Sequence, residues 1–182
     1  MLIEEMNLKN GQTLKIYQDS CGFSPREWDN MATFICFHKN YILGDEHNID
    51  HNDYGSWDEL IEANTEKDDI VLPLYLYDHS GLSISTGSFH CRWDSGQVGY
   101  AHISKAKIIE EYGDDSPASR ESALRCLQGE VQTYDYYLQG AVYGYELLDA
   151  WDREIDSCWG FYGYDHKESG LFDNAGILEY VA

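Results

Sequence analysis

The chain has 182 residues, 33 Asp plus Glu against 12 Lys plus Arg, and a formal charge of −21. Hydrophobic residues make up 43% and aromatic residues 14%, which supports a folded core and excludes a chain that is disordered throughout. The charge excludes sequence-independent binding to nucleic acid or to an anionic membrane, because both depend on Lys and Arg meeting phosphates.

Taken in chain order, residues 14–17 read as a short strand after the Asn10-Gly11 turn signal. Ser24-Pro25 is placed to start a short helix before Trp28. Residues 32–37 (ATFICF) form an apolar, β-favouring run. Residues 44–69 are acidic, broken by Trp57, Leu60 and Ile61, with one or two helical turns over 57–64. Residues 70–77 (IVLPLYLY) are the strongest strand, and Pro73 within it points to an edge strand or a bulge. The turn DHSG leads into residues 82–86, so a hairpin is expected. Residues 98–104 read as a further strand and 105–112 as a short helix.

The clearest helix covers about 119–138. Leu124, Leu127, Val131, Tyr134 and Leu138 recur at spacings of 3 and 4, which makes one apolar stripe. Ser119 and Ser122 can cap it, and Gly140 lies past its end. Residues 141–148 and 157–164 then read as two more strands. The pattern predicts a single acidic α+β domain over 1–182, a mostly antiparallel sheet with one long helix packed on a face.

No stretch approaches the roughly 20 apolar residues of a membrane helix. The N-terminal residues lack a basic start followed by an apolar run, so the expected location is the cytoplasm. The five cysteines, Cys21, Cys36, Cys91, Cys126 and Cys158, are odd in number and show no C-x-x-C spacing. They suggest reduced, mostly buried thiols rather than a disulfide framework or a zinc ribbon.

The acidic residues fall into groups. Asp45, Glu46, Asp50, Asp53, Asp58, Glu59 and Glu62, continuing to Glu66, Asp68 and Asp69, load one region. Glu110, Glu111, Asp114 and Asp115 make a second, and Asp149, Asp152, Glu154, Asp156 and Asp165 a third. A solvated surface that keeps the chain soluble is the plain explanation, yet a net charge magnitude of roughly 2–8 suffices for that. The larger charge costs stability through self-repulsion. Rows of carboxylates imitate the field of duplex DNA, which carries one charge per roughly 1.7 Å. The first two groups are therefore candidate residues for binding a basic protein partner.

Other chemistry has weaker support. With Gly55 as the sixth position of an EF-hand loop, Tyr54 and Ile61 fall where oxygen ligands belong, so the register fails. A non-standard calcium site would draw on Asp50, Asn52, Asp53 and Asp58. His79, His90, Cys91 and His102 lie on neighbouring predicted strands and turns, but adjacent residues face opposite ways and no paired metal motif occurs. The run Ser157-Cys158-Trp159-Gly160-Phe161 looks like the nucleophile segment of papain-like proteases. Here, though, only His166 follows Cys158 and the family's glutamine and upstream cysteine are missing, which marks a coincidence. A small-molecule pocket or hydrolase site around Tyr77, Asp78, His79, Trp93, Asp94 and Cys158 is the alternative to protein binding. No cofactor is implied.

The segments LPLYLYDHSG (72–81), WDSGQVGY (93–100) and DSCWGFYG (156–163), with NYILGDEH (40–47) and GEVQTYDYYLQG in the long helix, resemble small acidic proteins encoded by phages and integrating mobile elements. The likeness spans roughly residues 28–163. It transfers no catalytic residues. It implies a setting in which small accessory proteins block host defence nucleases, restriction and CRISPR systems among them, some as DNA mimics. The expected function is inhibition of such a nuclease in the bacterial host cytoplasm. The expected partner is a basic nucleic-acid-handling protein, with no direct contact to nucleic acid or membrane.

Overall fold

In the computed structural model, residues 1–91 and 93–180 are described. In chain order the elements are β1 (Leu2–Asn7), β2 (Thr13–Gln18), β3 (Thr33–Cys36), α1 (Trp57–Asn64), β4 (Ile70–Asp78), β5 (Leu82–Ser85) and β6 (Ser95–Ile103), then α2 (Lys105–Tyr112), α3 (Pro117–Leu138), β7 (Val142–Leu148), β8 (Glu154–Tyr162) and α4 (Leu171–Asn174). The fold is α+β. Its strands form two antiparallel four-stranded sheets rather than one, ordered β1-β2-β7-β8 and β3-β6-β4-β5. The chain divides into two compact units, Met1–Ser24 with Tyr136–Ala182, and Pro25–Asp135. No helix among the described residues is long and apolar enough to cross a membrane.

The first unit holds the sheet β1-β2-β7-β8. Alternate residues of a strand face opposite sides, and Leu14 and Ile16 of β2 join Tyr143, Tyr145 and Leu147 of β7 in the core. Leu171 of α4, Ala175 and Ile177 close that core. β1 and α4 escape the sequence reading. LIEEMN buries almost nothing, so it carries no hydrophobic alternation, and α4 is a single turn. On the opposite face, Trp159 of β8 lies flat over Gly144. A Cβ at that glycine would enter the indole ring. Trp159 is half exposed.

The second unit holds the sheet β3-β6-β4-β5, and both of its faces are covered. Phe34 meets Tyr134 of α3, ring centroids 6.0 Å apart. Its neighbour Ile35 points the other way and packs with Tyr100 and with Leu60 of α1. A strand buried on both faces shows an unbroken apolar run, which explains ATFICF. Gly99 of β6 lets β3 come close, because a Cβ there would collide with the Ile35 carbonyl and Cys36. β4 is an interior strand, not the edge that Pro73 suggested. Its partner β5 reaches only Tyr75–Asp78, so at Pro73 the strand is paired on the β6 side alone, where a residue without an N–H is tolerated. The bulge is present, between Leu74 and Tyr75.

The helix α3 starts two residues before the predicted position. Ser116, not Ser119, supplies the cap: its Oγ accepts from the Ser119 N–H at 3.3 Å, and Pro117 takes the first helical position, where its missing N–H costs nothing. Leu127, Val131 and Tyr134 of the predicted stripe are buried, with Ala123 beside them. Leu124 and Leu138 are only partly covered.

Arg26 ties this unit together. Its side chain is 5% exposed and pairs with Asp45 at 2.8 Å and Glu130 of α3 at 3.0 Å. It also donates to the Ala32 carbonyl at 2.6 Å, and its guanidinium lies 3.7 Å from the Phe34 ring centroid. Burial disfavours the charge, but the two carboxylates outweigh it and the pKa of Arg26 rises. Glu130 further accepts from the Met31 N–H at 2.7 Å, so one ion cluster pins β3 to α3.

Candidate functional site

The second unit carries an open groove of about 1180 Å³, formed by the end of β3, the loop after it and the start of α1. Phe37 is its centre. His47, His51 and Trp57 surround that ring at centroid distances of 4.9, 5.3 and 6.0 Å, and His51 meets Trp57 at 4.7 Å. On the other flank His38 stacks on Tyr41 at 4.9 Å. The ring of His47 is fixed by the backbone: its Nδ1 accepts from the Ile49 N–H at 3.3 Å, and its Nε2 faces the Cys36 carbonyl at 3.0 Å. Tyr41 and Ile42, 42% and 100% exposed, stand at the rim.

Of the predicted partner-binding residues, Asp45, Glu46 and Asp50 line this groove. Asp45 is engaged from behind by Arg26 and by the Phe34 N–H at 2.8 Å. Glu46 is exposed. Asp50 caps a short 3-10 turn, accepting from the Asn52 N–H at 2.9 Å, and that bond draws its pKa below the usual range. This turn and α1 occupy the stretch where a calcium loop was considered. Among the described residues, no three His, Cys, Asp or Glu are placed to hold a metal ion.

The remaining carboxylates extend outward. Asp53, Asp58, Glu59 and Glu62 are exposed. Glu59 also accepts from the Gly55 N–H at 2.7 Å while Ser56 caps the helix from the other side, a reciprocal arrangement close to a capping box. The two acidic groups, some forty residues apart in sequence, meet at Lys105 at the start of α2, which pairs with Asp68 at 3.1 Å and Asp115 at 3.4 Å. Asp115 also pairs with Arg120 at 2.8 Å, and Asp114 accepts from Ser119 and Ser116. These contacts lower the pKa of both aspartates. Glu110 pairs with Lys107 at 3.3 Å, and Glu111 is exposed. Among the described residues, Glu46, Asp53, Asp58, Glu62, Glu66 and Glu111 form no ion pair.

The alternative pocket is brought together in part. His79 Nδ1 lies 3.6 Å from Asp94 Oδ2, which also accepts from the Cys91 thiol at 3.3 Å. Tyr77 packs on Phe89, and Asp78 lies 3.9 Å from His38 Nε2. These residues lie at the surface, with Trp93 96% exposed. Cys158 belongs to the first unit, on β8, where it packs against the core. Its thiol faces the Trp159 carbonyl at 3.8 Å. Sequence reasoning missed Phe37, His38, Tyr41, His47 and His51. The available signal was an exposed apolar pair, Tyr41-Ile42, set between histidines in a loop.

Comparison with protein-family models, with curated proteins and with solved structures gives no match.

Proposed function

We propose that this protein is a phage or mobile-element inhibitor of a host defence nuclease. It acts in the bacterial cytoplasm by occupying the basic groove of a nucleic-acid-handling protein. The observation that carries the reading is the set of exposed carboxylates of the second unit that form no ion pair among the described residues: Glu46, Asp53, Asp58, Glu62, Glu66 and Glu111. Desolvating unpaired charge is costly, so a surface of this kind gains most from a cationic partner that supplies the missing counter-charges. The field also speeds encounter. No chemistry and no cofactor enter this mechanism. Carboxylates stand where phosphates would, and the bulk of the unit blocks the groove. The resemblance to phage-encoded acidic proteins supports the same reading.

The test is made on a panel of purified restriction and CRISPR nucleases, with binding measured over a salt series. One nuclease should be bound and lose cleavage activity, with affinity falling steeply as salt rises. The Asp58→Asn, Glu62→Gln, Glu110→Gln, Glu111→Gln variant should bind at least tenfold more weakly and show a flatter salt dependence. Binding unchanged in that variant overturns the electrostatic mechanism. Absence of any bound nuclease at low salt overturns the function.

A further inference from the structure

We infer that the groove centred on Phe37 is a receptor for an arginine side chain of a protein partner; the inference rests on the protein-binding reading above and names where the partner is gripped. Two kinds of surface meet in this groove. Its wall is aromatic: Phe37, His47, His51 and Trp57 present a continuous set of rings, with the His47 ring held between the Ile49 N–H and the Cys36 carbonyl. Its lining carries more negative than positive charge, with Glu46 and Asp50 against Lys39. An acidic rim alone accepts any cation, and an aromatic wall alone accepts any apolar group. Together they select a flat cation.

A guanidinium is planar, stacks on rings and presents paired donors to carboxylates, whereas an ammonium is compact and strongly hydrated. The molecule already contains this recognition in closed form. Arg26 lies against the face of Phe34 and is forked by Asp45 and Glu130, and Asp45 is shared between that internal site and the groove lining. The fully exposed Ile42 and the exposed Tyr41 beside it point to a polypeptide that covers them rather than to a free small cation, because a protein interface buries apolar and aromatic side chains at its core.

The experiment titrates the full-length protein with three blocked pentapeptides of sequence Gly-Ser-X-Ser-Gly, where X is arginine, lysine or citrulline. Amide and indole NMR shifts report the site. The arginine peptide should give saturable shifts confined to residues 37–52 and to the Trp57 indole. Citrulline, isosteric and uncharged, should bind at least tenfold more weakly, and lysine about threefold more weakly. Trp57→Ala should cost about tenfold. Glu46→Gln, at an exposed residue outside any ion pair, should cost about threefold without affecting the fold.

Shifts elsewhere, equal binding of citrulline, or equal binding of lysine overturns the arginine receptor. The nuclease assay separates the two ideas. If Glu46→Gln and Trp57→Ala leave nuclease binding intact while the four-carboxylate variant loses it, the groove inference fails alone. If the arginine peptide binds in the groove and the four-carboxylate variant still inhibits fully, the acidic-face mechanism fails and the groove stands.

Discussion

The two units carry much the same negative charge per residue, yet they use it differently. In the first unit Glu4, Glu5, Asp152 and Asp173 are exposed and form no ion pair among the described residues, while other acids on strands and turns serve local structure. Asp149 accepts from the Trp151 and Arg153 N–H groups, Tyr145 donates to Asp156 at 2.6 Å, and Tyr17 donates to Glu146 at 2.8 Å. In the second unit Asp45 and Glu130 are committed to the buried Arg26, and a further set is likewise exposed without an ion pair among the described residues. The sheets differ in parallel. The sheet of the first unit leaves Trp159 and Ile155 half exposed, while in that of the second β3 and the middle of β6 are buried on both faces. Net charge alone therefore says little about function. What matters is which carboxylates already have a partner.

The largest expected effect comes from Arg26. Arg26→Ala leaves Asp45 and Glu130 partly buried without their counter-charge. Removing one partner of a buried pair costs about 3–5 kcal/mol. Hydrogen exchange should show early opening of β3 and β6, while β2 and β7 of the first unit keep their protection. Equal loss in both units would mean that the ion cluster is not a local fastener of the second.

Next come the two glycines of close approach. Gly99→Ala puts a methyl group against the Ile35 carbonyl and Cys36, where only backbone movement relieves it. Overpacking of this kind costs roughly 1–3 kcal/mol. Gly144→Ala meets the ring of Trp159, which is half exposed and can turn away. Its cost should stay near or below about 1 kcal/mol, with a change in Trp159 fluorescence as the accompanying sign. Chemical denaturation of the two variants checks the order, and a larger loss for Gly144→Ala would contradict it.

The contrast between the units also explains what the sequence revealed. Elements whose residues meet a strong local rule were legible: α1 over 57–64 matches its observed bounds, and α2 and the strands β2, β4 and β6 lie where pattern placed them. β1 was not legible because LIEEMN contacts the core mainly through Met6. The division of the strands between two sheets is decided by pairing of β2 with β7 across more than a hundred residues, which no local period encodes. Of the candidate site, the carboxylates could be read because charge is visible in a sequence. The groove could not, because Phe37, His47, His51 and Trp57 converge from a strand end, an irregular loop and a helix start. Likewise, nothing in the sequence separates Asp45, held by Arg26, from Glu46, which is exposed.

The smallest expected effect concerns pH, and each unit holds one histidine that reports it. His102 in the second unit has its pKa lowered by burial, with Asp69 and Asp45 opposing that shift. Its Nδ1 has no hydrogen-bond partner among the described residues and lies 3.9 Å from Asp69. His166 in the first unit is lowered by burial as well, against Glu4 and Asp165, and packs between Tyr143 and Phe172. For both, the folded pKa lies below the unfolded value of 6.5. Below that pH the unfolded chain binds more protons than the folded one, so stability falls as the pH drops through 6.5 toward the folded pKa and then levels. The lowered aspartates Asp114 and Asp115 add their own loss at lower pH, as they are protonated. The two histidines can be told apart by unit. His102→Gln should flatten the pH dependence of exchange at β6 amides and leave that at β7 unchanged, and His166→Gln should do the reverse. If one substitution flattens both, the two units do not titrate as separate stability units.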